Sequence, residues 1–293
     1  MTGKRVVLTG GTDGIGKAAA IQLARLGASL VLMTRDPEKG AAALADIQAS
    51  SGGGAEIALI PGDLASLASV RTFAAEVKRR YTRLDVLINN AGAYNPIRRT
   101  SADGFELTFA VNQLGPFLLT HELRDLMIAS APARIIVTAS FAESFTPFSL
   151  DDIANPSNYA VMRVYGRSKR ATLLFTYALA RRLAGTGVTA NAWHPTVVRT
   201  NMEGNRTNPF IRAGTIIATT PQRAARTLVG LAASPQLEGV TGKYFASGRE
   251  TRSSRGSHSI ADQERLWQLC ESLTQSPAAA PSDIDPTALG SQR

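Results

Sequence analysis

Short apolar runs alternate with amphipathic stretches along nearly the whole chain. Arg5 to Thr9, Ser29 to Thr34, Glu56 to Ile60, Asp85 to Asn89, Arg134 to Thr138 and Val188 to Trp193 are β-rich and mostly apolar without alternation. Strands covered on both faces require that pattern. Between them, apolar positions recur at helical spacing over Ile15 to Leu26, Leu67 to Tyr81, Phe105 to Ala129 and Tyr165 to Leu183. Repeated strand–helix units joined by right-handed crossovers predict an α/β fold, a doubly wound parallel sheet of about seven strands with helices on both faces.

Gly27, Gly187 and the run Ser51 to Gly54 fall just after helical stretches, where a left-handed cap favours glycine. They punctuate one domain, expected over residues 1–250, with its last strand at Lys243 to Ala246. The stretch Gly248 to Ser259 is polar and rich in glycine and serine, and Ile260 to Leu273 reads as a short amphipathic helix. Residues 251–275 are thus expected to form a C-terminal extension. Residues 276–293, rich in Pro, Ala and Ser, are expected to be a disordered tail.

Composition narrows the function classes. The chain has 293 residues, 44% hydrophobic and 19% charged, which suits a soluble globular domain with one large core. Its single cysteine, Cys270, excludes an internal disulfide framework, and the scattered His121, His194 and His258 lack metal-ligand spacing. A cytoplasmic protein without a structural metal is expected. The apolar start, Val6 to Leu8, is too short for a signal peptide or an anchor, so no membrane attachment is expected. The net charge of +9 is dispersed in pairs such as Arg79-Arg80, Arg98-Arg99 and Arg181-Arg182. Without a basic stripe interleaved with aromatics, a nucleic-acid partner is not expected.

The first strand runs into Thr9-Gly10-Gly11-Thr12-Asp13-Gly14-Ile15-Gly16 and then into a helix. Glycines there let the backbone turn tightly and approach a pyrophosphate, whose charge meets the unsatisfied amides of the helix N-terminus. A second group of residues suggests proton transfer. Tyr165 and Lys169 stand four positions apart on one helical face, so an ammonium can approach a phenol. A free phenol titrates near pH 10, and a nearby cation favours phenolate, which predicts a lowered pKa for Tyr165 and a usable general acid and base. Ser140, after the fifth strand, is the candidate to hold a substrate oxygen while charge develops, although Ser144 and Ser149 lie close by.

The glycine spacing matches the TGxxxGxG pattern of the classical short-chain dehydrogenases/reductases. Asn89-Asn90-Ala91-Gly92 resembles their NNAG segment, and Tyr165-Gly166-Arg167-Ser168-Lys169 their YxxxK pair. With Ser140 and Asn112, all four members of the family's catalytic tetrad have a candidate. The resemblance spans roughly residues 3 to 247. Phe109 to Thr120 and Leu174 to Leu183 look like the branch of retinol dehydrogenases and related carbonyl reductases, whose membrane-bound members begin with an anchor.

The resemblance implies a Rossmann-type fold and an enzyme that moves hydride between a nicotinamide and the carbonyl or alcohol of a small molecule. Tyr165 would be general acid and base, Ser140 would bind the reacting oxygen, Lys169 would also hold the nicotinamide ribose, and Asn112 would hold a water relay. It further implies cofactor contacts at Gly10, Thr12, Asp13, Gly14, Ile15, Gly16, Arg35, Asp63, Leu64, Asn90, Ala91, Gly92, Tyr165, Lys169, Val198 and Thr200. At the end of the second strand Thr34 occupies the usual acidic position and Arg35 follows, which favours NADP(H) because arginine matches a 2′-phosphate. NAD(H) stays open, since Asp13 stands where NADP-using members often carry a base. Asp63 is either an adenine contact or a helix cap before Leu64. In His194-Pro195-Thr196, Thr196 replaces the glycine of the family's PG segment, and His194 reads as structural.

Phe141, Phe145 and Phe148, with Phe210, Ile216 and Ile217, supply apolar pocket candidates, so a hydrophobic ketone, aldehyde or alcohol is the expected substrate. Leu266 and Trp267 would cap that pocket or dock to the sheet. A homodimer or homotetramer is implied by resemblance alone. The competing reading is a nucleotide-sensing Rossmann protein without turnover, because a binding fold by itself is not evidence of chemistry.

Overall fold

The computed structural model describes residues 1–195 and 219–275. Eight strands form one sheet in the order β3-β2-β1-β4-β5-β6-β7-β8. They are β1 (Arg5–Thr9), β2 (Ser29–Thr34), β3 (Ile57–Pro61), β4 (Val86–Asn89), β5 (Ala133–Thr138), β6 (Val188–His194), β7 (Tyr244–Ala246) and β8 (Arg249–Thr251). β1 to β7 pair in parallel, and β8 returns antiparallel to β7 across a tight turn at Ser247 and Gly248. The chain therefore adds one short edge strand to the expected seven, within a stretch whose polar composition carries no strand signal.

The helices are α1 (Gly14–Arg25), α2 (Pro37–Ser51), α3 (Leu67–Arg80), α4 (Leu107–Phe109), α5 (Gly115–Ala129), α6 (Val161–Arg182), α7 (Pro221–Ala233) and α8 (Ile260–Gln275). Their starts are written in capping chemistry: Asp13 caps α1, Asp36 caps α2 before Pro37, Ser66 caps α3 and Thr220 caps α7 before Pro221. Successive strand residues feed opposite faces of the sheet. Val6, Leu8, Leu30, Leu32, Ile88 and Ile136 pack under α1, α2 and α7, whereas Val7, Val31, Leu87, Ile135 and Val137 pack under α3, α5 and α6. Both sets are apolar, which is why the strands read as continuous hydrophobic runs. Among the described residues no helix is long and apolar enough to cross a membrane.

The expected helix Phe105 to Ala129 is interrupted. Buried Glu106 caps α4 by accepting from the amides of Thr108 and Phe109, and a π turn over Ala110–Leu114 then precedes α5. Proline explains the break. Pro116 has no amide to give to the carbonyl four residues earlier, that of Asn112, and its ring would crowd that carbonyl. The Asn112 carbonyl accepts from the Thr172 hydroxyl of α6 instead, at 3.3 Å.

α8 packs on α6 through Trp267, whose ring stands 5.0 Å from Phe117 and 6.0 Å from Phe175, with the Arg182 guanidinium 4.0 Å above it. Leu266 and Trp267 dock to the helical layer rather than cap a pocket. Burial pushes the Cys270 thiol up to about 12, so this cysteine is an inert core residue.

Candidate active site

The carboxyl ends of β1, β4 and β5 meet at one edge of the sheet. The Thr9 hydroxyl accepts from the amides of Asn90 and Ala91, at 3.0 and 3.1 Å, and the Asn90 side-chain amide donates to the carbonyls of Thr9 and Gly10. Asn90 thus stitches the strand ends beneath the glycine loop. Gly10 has a φ of +66°, and a Cβ there would stand 2.9 Å from the Cα of Ala91. A Cβ on Gly16 would fall 1.9 Å from the Gly10 carbonyl oxygen. Asp13 takes the Gly14 amide at 2.6 Å, while the amides of Ile15 and Gly16 lie in the first turn of α1, where the helix offers no acceptor. Thr12 and exposed Asp13 border this anion-binding turn.

These residues fit a dinucleotide, because the glycines let the turn pack tightly against the strand ends and bring the first-turn amides of α1, which have no acceptor within the helix, to where a pyrophosphate would approach. Gly16→Ala is accordingly expected to weaken NADPH binding at least about tenfold and to destabilise the protein by about 1–3 kcal/mol, as overpacking does. Fluorescence titration and thermal unfolding measure the two effects.

Three elements carry the proposed catalytic side chains to that edge. Ser140 ends β5 and caps the 3-10 turn Phe141–Ser144 by accepting from the Ala142 amide at 3.2 Å. Its hydroxyl lies near enough to the Tyr165 phenol to favour the phenolate. Ser144 and Ser149 bond locally, to the Phe141 carbonyl and to Asp151, whereas Ser140 adjoins Tyr165. Tyr165 and Lys169 share one face of α6, with the Lys169 ammonium 5.8 Å from the centre of the Tyr165 ring. Asn112, held by the π turn, accepts from the Ala93 amide at 2.7 Å and donates to the Ala93 carbonyl and the Ser168 hydroxyl at 3.0 Å each. Gly92 joins the two halves: a Cβ there would stand 3.4 Å from Asn112 Oδ1 and 3.5 Å from Lys169 Nζ.

The electrostatics depart from the sequence expectation. Burial pushes the Tyr165 phenol up from its usual value, and the nearby Ser140 side chain only partly opposes it. Lys169 is itself stripped of water, which lowers its ammonium to about 8, and it donates to the Thr138 carbonyl at 2.9 Å. Desolvation therefore sets the direction for both groups, opposite to the one expected for the phenol from its helical neighbour.

At the far end of the cleft, Thr34 is buried and donates to the Asp36 carbonyl at 2.8 Å, which leaves the following Arg35 exposed after β2. Asp63 caps a local turn rather than a helix, since its carboxylate accepts from the Ala65 amide at 2.9 Å and Ser66 caps α3. Buried Leu64 lies against α5, where a Cβ on Gly115 would meet its carbonyl at 2.6 Å. Ala91 and Gly92 present backbone at the strand end. Val198 and Thr200, together with Thr196, Phe210, Ile216 and Ile217, lie outside the described residues.

Phe141 and Phe145 are exposed and pair edge-to-face at 4.8 Å, whereas Phe148 turns inward beneath Arg170. Residues not anticipated from sequence complete the wall. Tyr94 packs edge-on against Tyr165 at 5.4 Å and lies 3.5 Å from the sulfur of exposed Met162, and Tyr159 donates to the Asn95 carbonyl at 2.5 Å. Their proximity to the NNAG and YxxxK segments in sequence was the signal available. His194, between Phe141 and Tyr244, has a buried Nδ1 without a partner among the described residues, and burial lowers its pKa.

The short chain dehydrogenase sequence profile matches residues 4–209. Human retinol dehydrogenase 14 is 38% identical over 289 residues, covering 92% of this chain and 86% of its own. A crystal structure of an uncharacterised protein from Mycobacterium paratuberculosis superposes with a TM-score of 0.77 at 30% identity, covering 95% of this chain and 96% of that one. A short chain dehydrogenase from Burkholderia cenocepacia J2315, solved in complex with NADP, superposes with a TM-score of 0.68 at 25% identity, covering 83% of this chain and 96% of that one. With the glycine turn, the YxxxK helix and the sheet order in one molecule, the chain belongs to the short-chain dehydrogenase/reductase family, in its retinol dehydrogenase branch, and is an NAD(P)-dependent oxidoreductase of alcohol and carbonyl groups.

Proposed function

We propose that this enzyme interconverts a hydrophobic ketone or aldehyde and its alcohol with NADP(H), using Tyr165 as general acid and base. The observation that carries this reading is the chain of neighbours in which Ser140 adjoins Tyr165, Tyr165 shares a face of α6 with Lys169, and Lys169 meets Asn112 at Gly92. NADPH, when bound, would supply the hydride. The Ser140 hydroxyl would donate a hydrogen bond to the substrate carbonyl oxygen, and Tyr165 would give that oxygen its proton. A phenol held protonated by burial suits the reductive direction. Lys169 would bind the nicotinamide ribose and balance the charge left on Tyr165, while Asn112 holds the Ala93 backbone at the rim of the site.

The exposed rings of Phe141 and Phe145 and the Tyr94–Met162 wall support an apolar substrate, as does the name of the human relative, since retinol is an apolar alcohol. Purified enzyme is expected to oxidise NADPH with some member of a panel of aromatic, terpenoid and steroid ketones and aldehydes. Failure with every member, under conditions where NADPH binds, overturns the reading.

The preference for NADP(H) rests on Arg35, an exposed guanidinium beyond buried Thr34 with no acidic partner among the described residues. The NADP complex of the Burkholderia relative supports the same choice. Arg35→Ala is expected to raise the Kd for NADPH about tenfold and leave that for NADH within twofold, because guanidinium recognises the 2′-phosphate alone. Equal losses for the two nucleotides, read by fluorescence titration, remove the assignment.

A further inference from the structure

A buried acidic side chain that the proposed reaction does not use stands in the turn that Ser140 caps. Glu143 belongs to the 3-10 turn that Ser140 caps, and it is 2% exposed. Its Oε2 accepts from Arg170 Nε at 2.8 Å and from the Ser254 hydroxyl at 2.5 Å, and its Oε1 accepts from the Ser254 amide at 2.8 Å. Arg170 follows Lys169 on α6 and also donates, through Nε and Nη2, to the Glu143 carbonyl at 3.0 and 2.5 Å. Gly256 leaves room for this guanidinium, since a Cβ there would stand 2.5 Å from Nη1.

A buried ion pair is poor evidence for stability, because withdrawing both charges from water offsets their attraction, and an apolar pair of similar volume often does as well. What such a pair supplies, when both carboxylate oxygens are satisfied, is one fixed geometry. Here the fixed parts are the turn that presents Ser140, the helix that presents Tyr165 and Lys169, and the segment 252–259 that follows β8. Ser140's own cap is local, a single bond to Ala142, and does not tie the turn to α6.

We propose that Glu143, Arg170 and Ser254 form a positioning unit that holds the Ser140 hydroxyl against the Tyr165 phenol and makes the segment after β8 a support of the active site. The proposal rests on the reading of Ser140 and Tyr165 given above. None of the three touches the reacting atoms, so they act only through Ser140.

Glu143→Gln keeps the side-chain shape but removes the charge that Arg170 requires. Its kcat is expected to fall between about 10- and 100-fold, as a displaced catalytic group does, with the Kd for NADPH unchanged. Introduced into Ser140→Ala, the same substitution is expected to cost less than twofold. The double variant Glu143→Leu/Arg170→Met removes both buried charges, and is expected to melt near the parent temperature yet lose kcat as Glu143→Gln does. A crystal structure of Glu143→Gln is expected to show Ser140 Oγ displaced away from the Tyr165 phenol relative to the parent. Parent-like kcat in Glu143→Gln, an equal loss in the Ser140→Ala background, or an unmoved Ser140 overturns the proposal. Turnover that survives Tyr165→Phe refutes the reading of Tyr165 instead, and the proposal falls with it.

Discussion

Replacing Tyr165 by Phe is expected to lower kcat about 10³-fold, within the range that a positioned proton donor contributes, while the Kd for NADPH stays within twofold. The substitution removes one oxygen and little else. The ring keeps its edge-on contact with Tyr94, and Ser140 keeps its cap on Ala142, so the cleft retains its shape. Tyr165 stands on α6 and the glycine turn leads into α1, so the proposed chemistry and the proposed pyrophosphate contacts belong to different elements. Steady-state rates and fluorescence titration read the two quantities, and parent-like turnover in the variant refutes the proton-transfer role. Because burial raises the phenol's pKa, the reductive rate is expected to stay level through neutral pH and decline only in alkali. The oxidative rate, which needs phenolate, climbs over that range.

The second large effect is expected at Lys169, where activity and stability move in opposite directions. Lys169→Met is expected to reduce kcat about 10²-fold or more, because the charge that steadies Tyr165 after proton transfer is gone. Yet the buried ammonium destabilises the protein without cofactor, since its pKa falls from 10.5 to about 8 on folding. A cation whose folded pKa is depressed costs its full penalty below the folded value, and the penalty disappears as pH rises to the ordinary one. The penalty below pH 8 is about 3 kcal/mol. Methionine also forfeits the bond to the Thr138 carbonyl, about 1 kcal/mol, so the net gain is about 2 kcal/mol. Near pH 7 the variant should therefore melt a few degrees above the parent. At pH 10.5 the order reverses, because only the lost hydrogen bond remains. Thermal unfolding at the two pH values checks both signs, and a variant less stable than the parent at pH 7 refutes the account.

Much of this site was legible in the chain because its chemistry depends on local spacing. β1 and β2 begin and end at the residues their apolar runs indicate, and the glycine turn, the Tyr165–Lys169 face and Ser140 follow from short-range rules. The losses have particular causes. α2 buries only Gly40, Ala43 and Ile47, too few large apolar residues to make a strong stripe, and β8 is exposed at all three positions. The lowered phenol pKa expected from a helical neighbour was reversed, because water is excluded from both partners and a pattern of residue types does not record solvent. Glu143 and Ser254 stand 111 positions apart, and nothing in either neighbourhood announces the other. Asp63 was ambiguous in sequence and remains bonded to its own turn.

The π turn that Pro116 imposes also changes the phase of everything beyond it. One residue is absorbed without advancing the chain by a regular step, so side chains after the bulge are rotated by about 100° relative to an unbroken spiral. Asn112 can face the cleft while Phe117, Leu119 and Leu123 remain buried in the core. The two ends of this single rod answer to different masters, one set by the reaction and the other by the core, and a substitution on one need not disturb the register of the other.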